Sequence, residues 1–157
     1  MTSAALTALA ATGLEHRVIR HGPVSSVAEA AQRRGVAVTD VVKTIVVRRA
    51  DDDFLFVLVP GDRVISWPKL RALLGVARLS MPDAATALAA TGYERGTITP
   101  FGASHAWPVI ADERLRGREI TLGSGEHGVA VAVAADPALT LLSGQYADVT
   151  DPEPVRG

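Results

Sequence analysis

The chain has 157 residues, 48% of them hydrophobic and 4% aromatic, with no cysteine and a formal net charge of −1. That length suits one domain whose core is built from Ala, Val, Leu and Ile. The absence of cysteine excludes disulfides, thiolate catalysis and zinc–thiolate sites. The balanced charge excludes the broad basic surface of a non-specific nucleic-acid binder, though not a small basic pocket.

In chain order, MTSAALTALAATG is apolar but has no positive n-region, so it does not read as a secretory signal. No segment approaches the roughly 20 apolar residues of a membrane helix, and the expected location is the cytoplasm. Residues 2–12 read as a helix stopped by Gly13, and HRVIRH as a short strand broken by Gly22-Pro23. Ser26 and Glu29 have capping-box spacing, which predicts a helix over VAEAAQRR ending at Gly35. Strands are expected at about 41–48 and over FLFVLVP, joined by the polar turn Asp51–Asp53 as a hairpin. Ser66 is placed to cap a helix carrying Leu70, Leu73 and Leu74. MPDAATALAATG reads as a helix with Pro82 near its start and Gly92 at its end. GTITPFG is a loop, WPVIAD a strand and GREITLGSGEHGVAVAVAAD a hairpin, with Asp136 placed to cap a last helix, PALTLL. This order predicts one α+β domain, residues 1–150, with a mixed, largely antiparallel sheet and flanking helices, followed by a frayed tail, 151–157. A strand edge left open by the 41–48 and 54–59 hairpin would offer a dimer contact.

Several motifs fail their structural tests. GSGEHG matches G-x-G-x-x-G, but the Val/Ala run after it continues as a strand, so it reads as a glycine-rich hairpin turn. GASHA approximates a nucleophile elbow, yet Pro100 and Pro108 flank it, and Ser104 beside His105 reads as a surface loop. His16, His21, His105 and His127 show no helical ligand spacing, and Asp51–Asp53 lack the spacing and Glu of a calcium loop. Arg33 and Arg34 read as helix-end charges suited to the dipole.

DVVKTIVVRR is harder to explain, because Lys43 interrupts a β-branched run. Alternation puts Val41, Lys43, Ile45 and Val47 on one strand face and Val42, Thr44 and Val46 on the other, so both faces are apolar. Lys43 either snorkels at a sheet margin or is a cation held at a cleft floor, opposite an anion or a developing oxyanion. GYERGTITPFG is the second unusual stretch. Gly96 and Gly102 relax the backbone and Pro100 fixes it, so the remaining N–H groups can face a carbonyl or phosphate oxygen.

RHGP, VVKTIVV, VPGDRVISWPKL, TGYERGTITPFG, GSGEHG and YADVTD occur in this order over nearly the whole chain. Together they resemble the YbaK/prolyl-tRNA editing domain family of stand-alone aminoacyl-tRNA deacylases. The resemblance implies a barrel-like mixed sheet and metal-independent hydrolysis of a mischarged aminoacyl-tRNA without a cofactor. Lys43 would be the essential residue. Gly96, Thr97, Ile98, Thr99 and Pro100 would embrace the terminal adenosine and ester, helped by the substrate 2′-OH. Phe101, Gly102, His21, Ser124 and His127 complete the implied binding set. The implied partners are the acceptor end of tRNA and a prolyl-tRNA synthetase, with no membrane and no DNA, and the implied substrate is a tRNA(Pro) carrying Cys or Ala. Glu126 and His127 stand where some relatives have basic residues, and Ile19 where some have an aromatic one. A non-catalytic module of the same fold that binds tRNA ends or a synthetase is the rival expectation.

Overall fold

The central hairpin sets the frame of the computed structural model, which describes residues 3–154. Strands β2 (Val42–Ala50) and β3 (Asp53–Pro60) pair antiparallel, with Lys43 opposite Val59 and Val47 opposite Leu55. The strand β5 (Val109–Asp112) lies parallel to β3, and β8 (Gln145–Ala147) parallel to β5. A second sheet is antiparallel throughout: β1 (Arg17–Arg20) and β6 (Glu119–Gly123) flank β7 (Val129–Ala134). One parallel bridge, Val41 to Thr121, links the two sheets. A further pair, β4 (Arg63–Ile65) and β9 (Thr150–Pro152), is antiparallel. The expected α+β class therefore holds, with the correction that the strands do not close into a barrel among the described residues.

Local chemistry explains the helix limits. Ser3 caps α1 (Ala4–Thr12) by accepting from Leu6 N–H, and Gly13 ends it in the left-handed region. Ser26 caps α2 (Val27–Arg34) through Glu29 N–H, but the Glu29 carboxylate accepts from Ser25 rather than from Ser26 N–H, so the capping box is shifted by one residue. Ser66 caps α3 (Trp67–Leu74) and Asp83 caps α4 (Ala84–Thr91), one residue after the proline expected near its start. In α5 (Ala135–Leu141) the expected cap is corrected. Asp136 is already helical because β7 runs straight into the helix, and its carboxylate instead accepts from Gly117 N–H and the Tyr146 hydroxyl. Among the described residues no helix is long and apolar enough to cross a membrane.

The β2–β3–β5 layer is covered on both faces. Val42, Val46, Phe56 and Leu58 pack with Leu122, Val131 and α1, while Val47, Leu55, Val57 and Ile110 pack with Leu70 of α3 and Val149. This matches the alternation read from the sequence and explains why the hairpin is apolar on both sides. The segment expected to fray begins ordered: Asp151 and Pro152 pair with Val64 and Arg63. Its anchor is Asp112, which is fully buried. The carboxylate accepts from Thr150 Oγ1 at 2.7 Å, Val149 N–H at 3.4 Å and the Arg114 guanidinium at 3.2 Å. Arg63 Nε donates to the same Thr150 Oγ1 at 2.7 Å, so β4, β5 and β9 share one polar knot.

Asp112→Ala leaves the Thr150 hydroxyl and Val149 N–H unsatisfied in the interior. The expected loss is about 2–3 kcal/mol, read as a lower urea midpoint. A midpoint unchanged from wild type would show that the knot does not anchor the C-terminal strand.

Candidate functional site

One edge of β2 pairs with β3. The other edge is pinned only at its ends, by the Val41–Thr121 bridge and by an Arg48–Ser80 bridge. Arg48 N–H donates to Ser80 C=O at 2.7 Å, and Ser80 N–H to Arg48 C=O at 3.1 Å. Both backbone groups of Arg48 therefore point outward. By the two-residue period of a strand, those of Val46, Thr44 and Val42 do too. Between the two bridges, Thr44 and Val46 have no ladder partner among the described residues. A cleft of about 510 Å³ opens along this free edge, and six consecutive residues, 41–46, line it.

The other walls come from α2 (Val27, Ala30, Arg34), from Met81, Pro82 and Ala87, and from Gly96, Ile98 and Gly123. The lining is mostly apolar. Its charged members are Arg34, Lys43 and Arg95, with no carboxylate among them. Lys43 is half-buried and its ammonium donates to the Arg63 carbonyl. Burial lowers its pKa below the ordinary lysine value, partly offset by Glu153 and Asp62. Neither sequence reading of Lys43 describes this alone: the residue lines the cleft, and its ammonium is tethered to a protein carbonyl.

Two polar groups in the cleft were not anticipated. Among the described residues the Thr44 hydroxyl is buried with no hydrogen-bond partner, and so is Arg34 Nε. Arg34 Nη1 donates to Thr121 Oγ1 at 3.0 Å, and burial lowers its pKa from the usual arginine value. The helix-end reading fits Arg33, which pairs with Glu29, but is corrected for Arg34. One residue of helical rotation turns that guanidinium from solvent toward β6. Buried polar atoms without partners are uncommon, so these two single out the cleft as the candidate site.

The glycine-rich stretches form one unit. GSGEHG is the β6–β7 turn, as expected, and it seats the 96–100 loop. Gly125 N–H donates to Thr97 C=O at 2.8 Å, and a Cβ on Gly123 would lie 3.0 Å from that same oxygen. Tyr93 closes the loop by donating its hydroxyl to Phe101 C=O at 2.6 Å, and burial pushes its pKa up to about 12. The expected binding residues then separate. Gly96 and Ile98 reach the cleft, and their N–H groups have no acceptor among the described residues. Thr97, Thr99, Pro100 and Phe101 are buried behind the loop. Gly102 sits against α1, where a Cβ would lie 2.5 Å from Ala4 C=O. Ser124 is fully buried and donates to Val129 C=O at 2.9 Å. His21 Nδ1 lies 2.7 Å from Gly22 C=O and its Nε2 is buried without a partner, away from the cleft lining. His127 stands exposed at the loop rim, 3.1 Å from Glu94. Ser104 donates to Ala90 C=O and makes no pair with His105. No group of three metal-ligating side chains occurs among the described residues.

This fold recurs in solved structures. A hypothetical protein superposes with a TM-score of 0.87 at 24% identity, covering 95% of this chain and all of the other. A protein provisionally described as a trans-editing enzyme for prolyl tRNA synthetase gives 0.83 at 25% identity, over 96% and 99% of the two chains. Residues 21–140 match the aminoacyl-tRNA editing domain, and the chain belongs to that family. Among named relatives, an Enterococcus faecalis protein provisionally named Cys-tRNA(Pro)/Cys-tRNA(Cys) deacylase EbsC is 28% identical over 85% of this chain and 80% of its own length. A proline–tRNA ligase of Thermosipho melanesiensis is 33% identical over 65% of this chain, which spans only 18% of that enzyme.

Thr44→Val removes a hydroxyl that has no hydrogen-bond partner among the described residues while keeping the side-chain shape. The melting temperature should hold or rise. A fall of several degrees would mean the hydroxyl has a structural partner and is not held for a ligand.

Proposed function

We propose that this chain is a trans-editing aminoacyl-tRNA deacylase, with the free edge of β2 as the floor of its active site. The observation that carries the reading is an unpaired strand edge inside a cleft that holds cations and no carboxylate. An aminoacyl ester at the 3′ end of tRNA offers the complementary groups. Its phosphates suit Arg34 and Arg95, and its α-ammonium can donate to an outward carbonyl of Thr44 or Val46. The ester carbonyl faces the N–H groups of Gly96 and Ile98, where the tetrahedral oxyanion develops. Lys43 adds positive charge beside that oxygen. The ester is already activated, so water placed by the ribose 2′-OH suffices as nucleophile and the leaving 3′ oxygen takes the proton.

A tRNA(Pro) carrying Cys or Ala is the first substrate to test, and Cys-tRNA(Pro) stands in the name of the Enterococcus faecalis relative. A small apolar pocket separates neighbours differing by one methylene only weakly, which suits an enzyme that borrows tRNA selectivity from a synthetase. Binding without turnover is the second reading, favoured by the tether between the Lys43 ammonium and the Arg63 carbonyl.

The test is hydrolysis of Ala-, Cys- and Pro-tRNA(Pro) by wild type and Lys43→Met, with and without EDTA. Wild type should clear a mischarged species with EDTA present, and the variant should lose roughly 100-fold or more in kcat/KM. Burial penalises the Lys43 cation in the folded chain only. The unfolded chain therefore binds more protons between the two pKa values, and stability rises with pH through that alkaline window. Lys43→Met should thus fold at least as stably as wild type and flatten that rise. Equal hydrolysis by the folded variant would remove Lys43 from the mechanism.

A further inference from the structure

A second depression, of about 520 Å³, lies directly beyond the Arg48–Ser80 bridge that ends the cleft. Arg48, Arg49, Arg71 and Arg78 line it, with Asp51 as its one acidic residue. The whole chain carries 16 basic and 17 acidic residues, so four arginines around one groove is a local concentration. Two are engaged. Arg49 forms a fork with Asp53 at 3.0 and 3.2 Å, and Arg48 lies 3.8 Å from the almost fully exposed Asp51. Arg71 and Arg78 form no salt bridge or side-chain hydrogen bond among the described residues.

The groove and the cleft share two backbone segments. β2 and the Val41 before it supply 41–46 to the cleft, β2 supplies 48–50 to the groove, and the next segment supplies 77–80 to the groove and Met81 and Pro82 to the cleft. From Thr44 to Arg48 the strand rises about 13 Å. A polyanion whose end enters the cleft therefore meets the arginines a few nucleotides further along. We infer that this groove is a docking surface for the phosphate backbone of RNA leading into the cleft, with Arg71 and Arg78 as its free phosphate contacts. The inference rests on the reading of the cleft as a site for the 3′ end of tRNA. Arginine forks suit phosphate oxygens, and contacts of this kind position an RNA without reading its sequence.

The experiment measures affinity for uncharged tRNA across a potassium chloride series. Wild type is compared with Arg71→Ala/Arg78→Ala and with a control of equal charge change, Arg17→Ala/Arg116→Ala, on other surfaces. The groove variant should bind roughly tenfold more weakly, with a salt slope smaller by about two, one for each arginine withdrawn from a phosphate. The control should keep the wild-type slope. An unchanged slope in the groove variant, or no salt-dependent tRNA binding by wild type, overturns the inference. So does binding to phosphatidylserine vesicles that the groove variant loses while its tRNA affinity stays unmoved; that result assigns the groove to a membrane surface. Wild-type deacylation with an unchanged slope sinks the groove and leaves the deacylase reading standing. Groove-dependent tRNA binding without hydrolysis of any mischarged species does the reverse.

Discussion

β2 is paired along one edge and held at only two points on the other. An open strand edge inside a domain leaves backbone donors and acceptors without partners, an arrangement proteins normally cover or blunt. Here the Val41–Thr121 and Arg48–Ser80 bridges keep the edge straight while α2, the 96–98 loop and Met81–Pro82 form walls around it. The cleft follows from this arrangement. So does the position of Thr44, whose backbone groups point to that edge and whose hydroxyl is buried without a partner among the described residues. The groove beyond Arg48 follows as well, because one strand crosses from the cleft into it.

Holding such an edge open requires rigid surroundings. The Asp112 knot joins β4, β5 and β9, and Arg63 belongs to it while its carbonyl accepts from Lys43. The VPGDRVISWPKL and YADVTD stretches, far apart in the chain, meet there: Lys69 reaches both Asp148 and Asp151. On the opposite side, the β6–β7 turn and Tyr93 fix the loop that carries Gly96 and Ile98. Most residues in these two clamps never touch the cleft. Their contribution is to hold polar groups at set distances, which is what electrostatic stabilisation of a transition state requires.

Much of this was legible beforehand where local chemistry decides. The helix stops at Gly13, Gly35 and Gly92 are local, since a left-handed C-cap strongly favours glycine. The central hairpin was legible because both its strands are β-branched or aromatic around an acidic turn. The short strands β4, β8 and β9 were not, because three residues carry no periodicity. The paired partner, not the residues themselves, makes each a strand. The implied binding residues Ser124, Thr97 and Phe101 are buried, and a motif does not say which of its side chains turn inward.

By itself, then, the sequence determined the α+β class, the both-sides-buried hairpin, the turn nature of GSGEHG and, through ordered motifs, the family. Those depend on propensity, alternation and glycine geometry, all properties of neighbouring residues. Tertiary structure alone decided that Arg34 turns inward while Arg33 does not, that Lys43 is tethered to a carbonyl 20 residues away, and that the Thr44 hydroxyl finds no partner among the described residues. Each depends on which distant element arrives beside the residue, and burial by a distant element is what turns an ordinary polar side chain into a site.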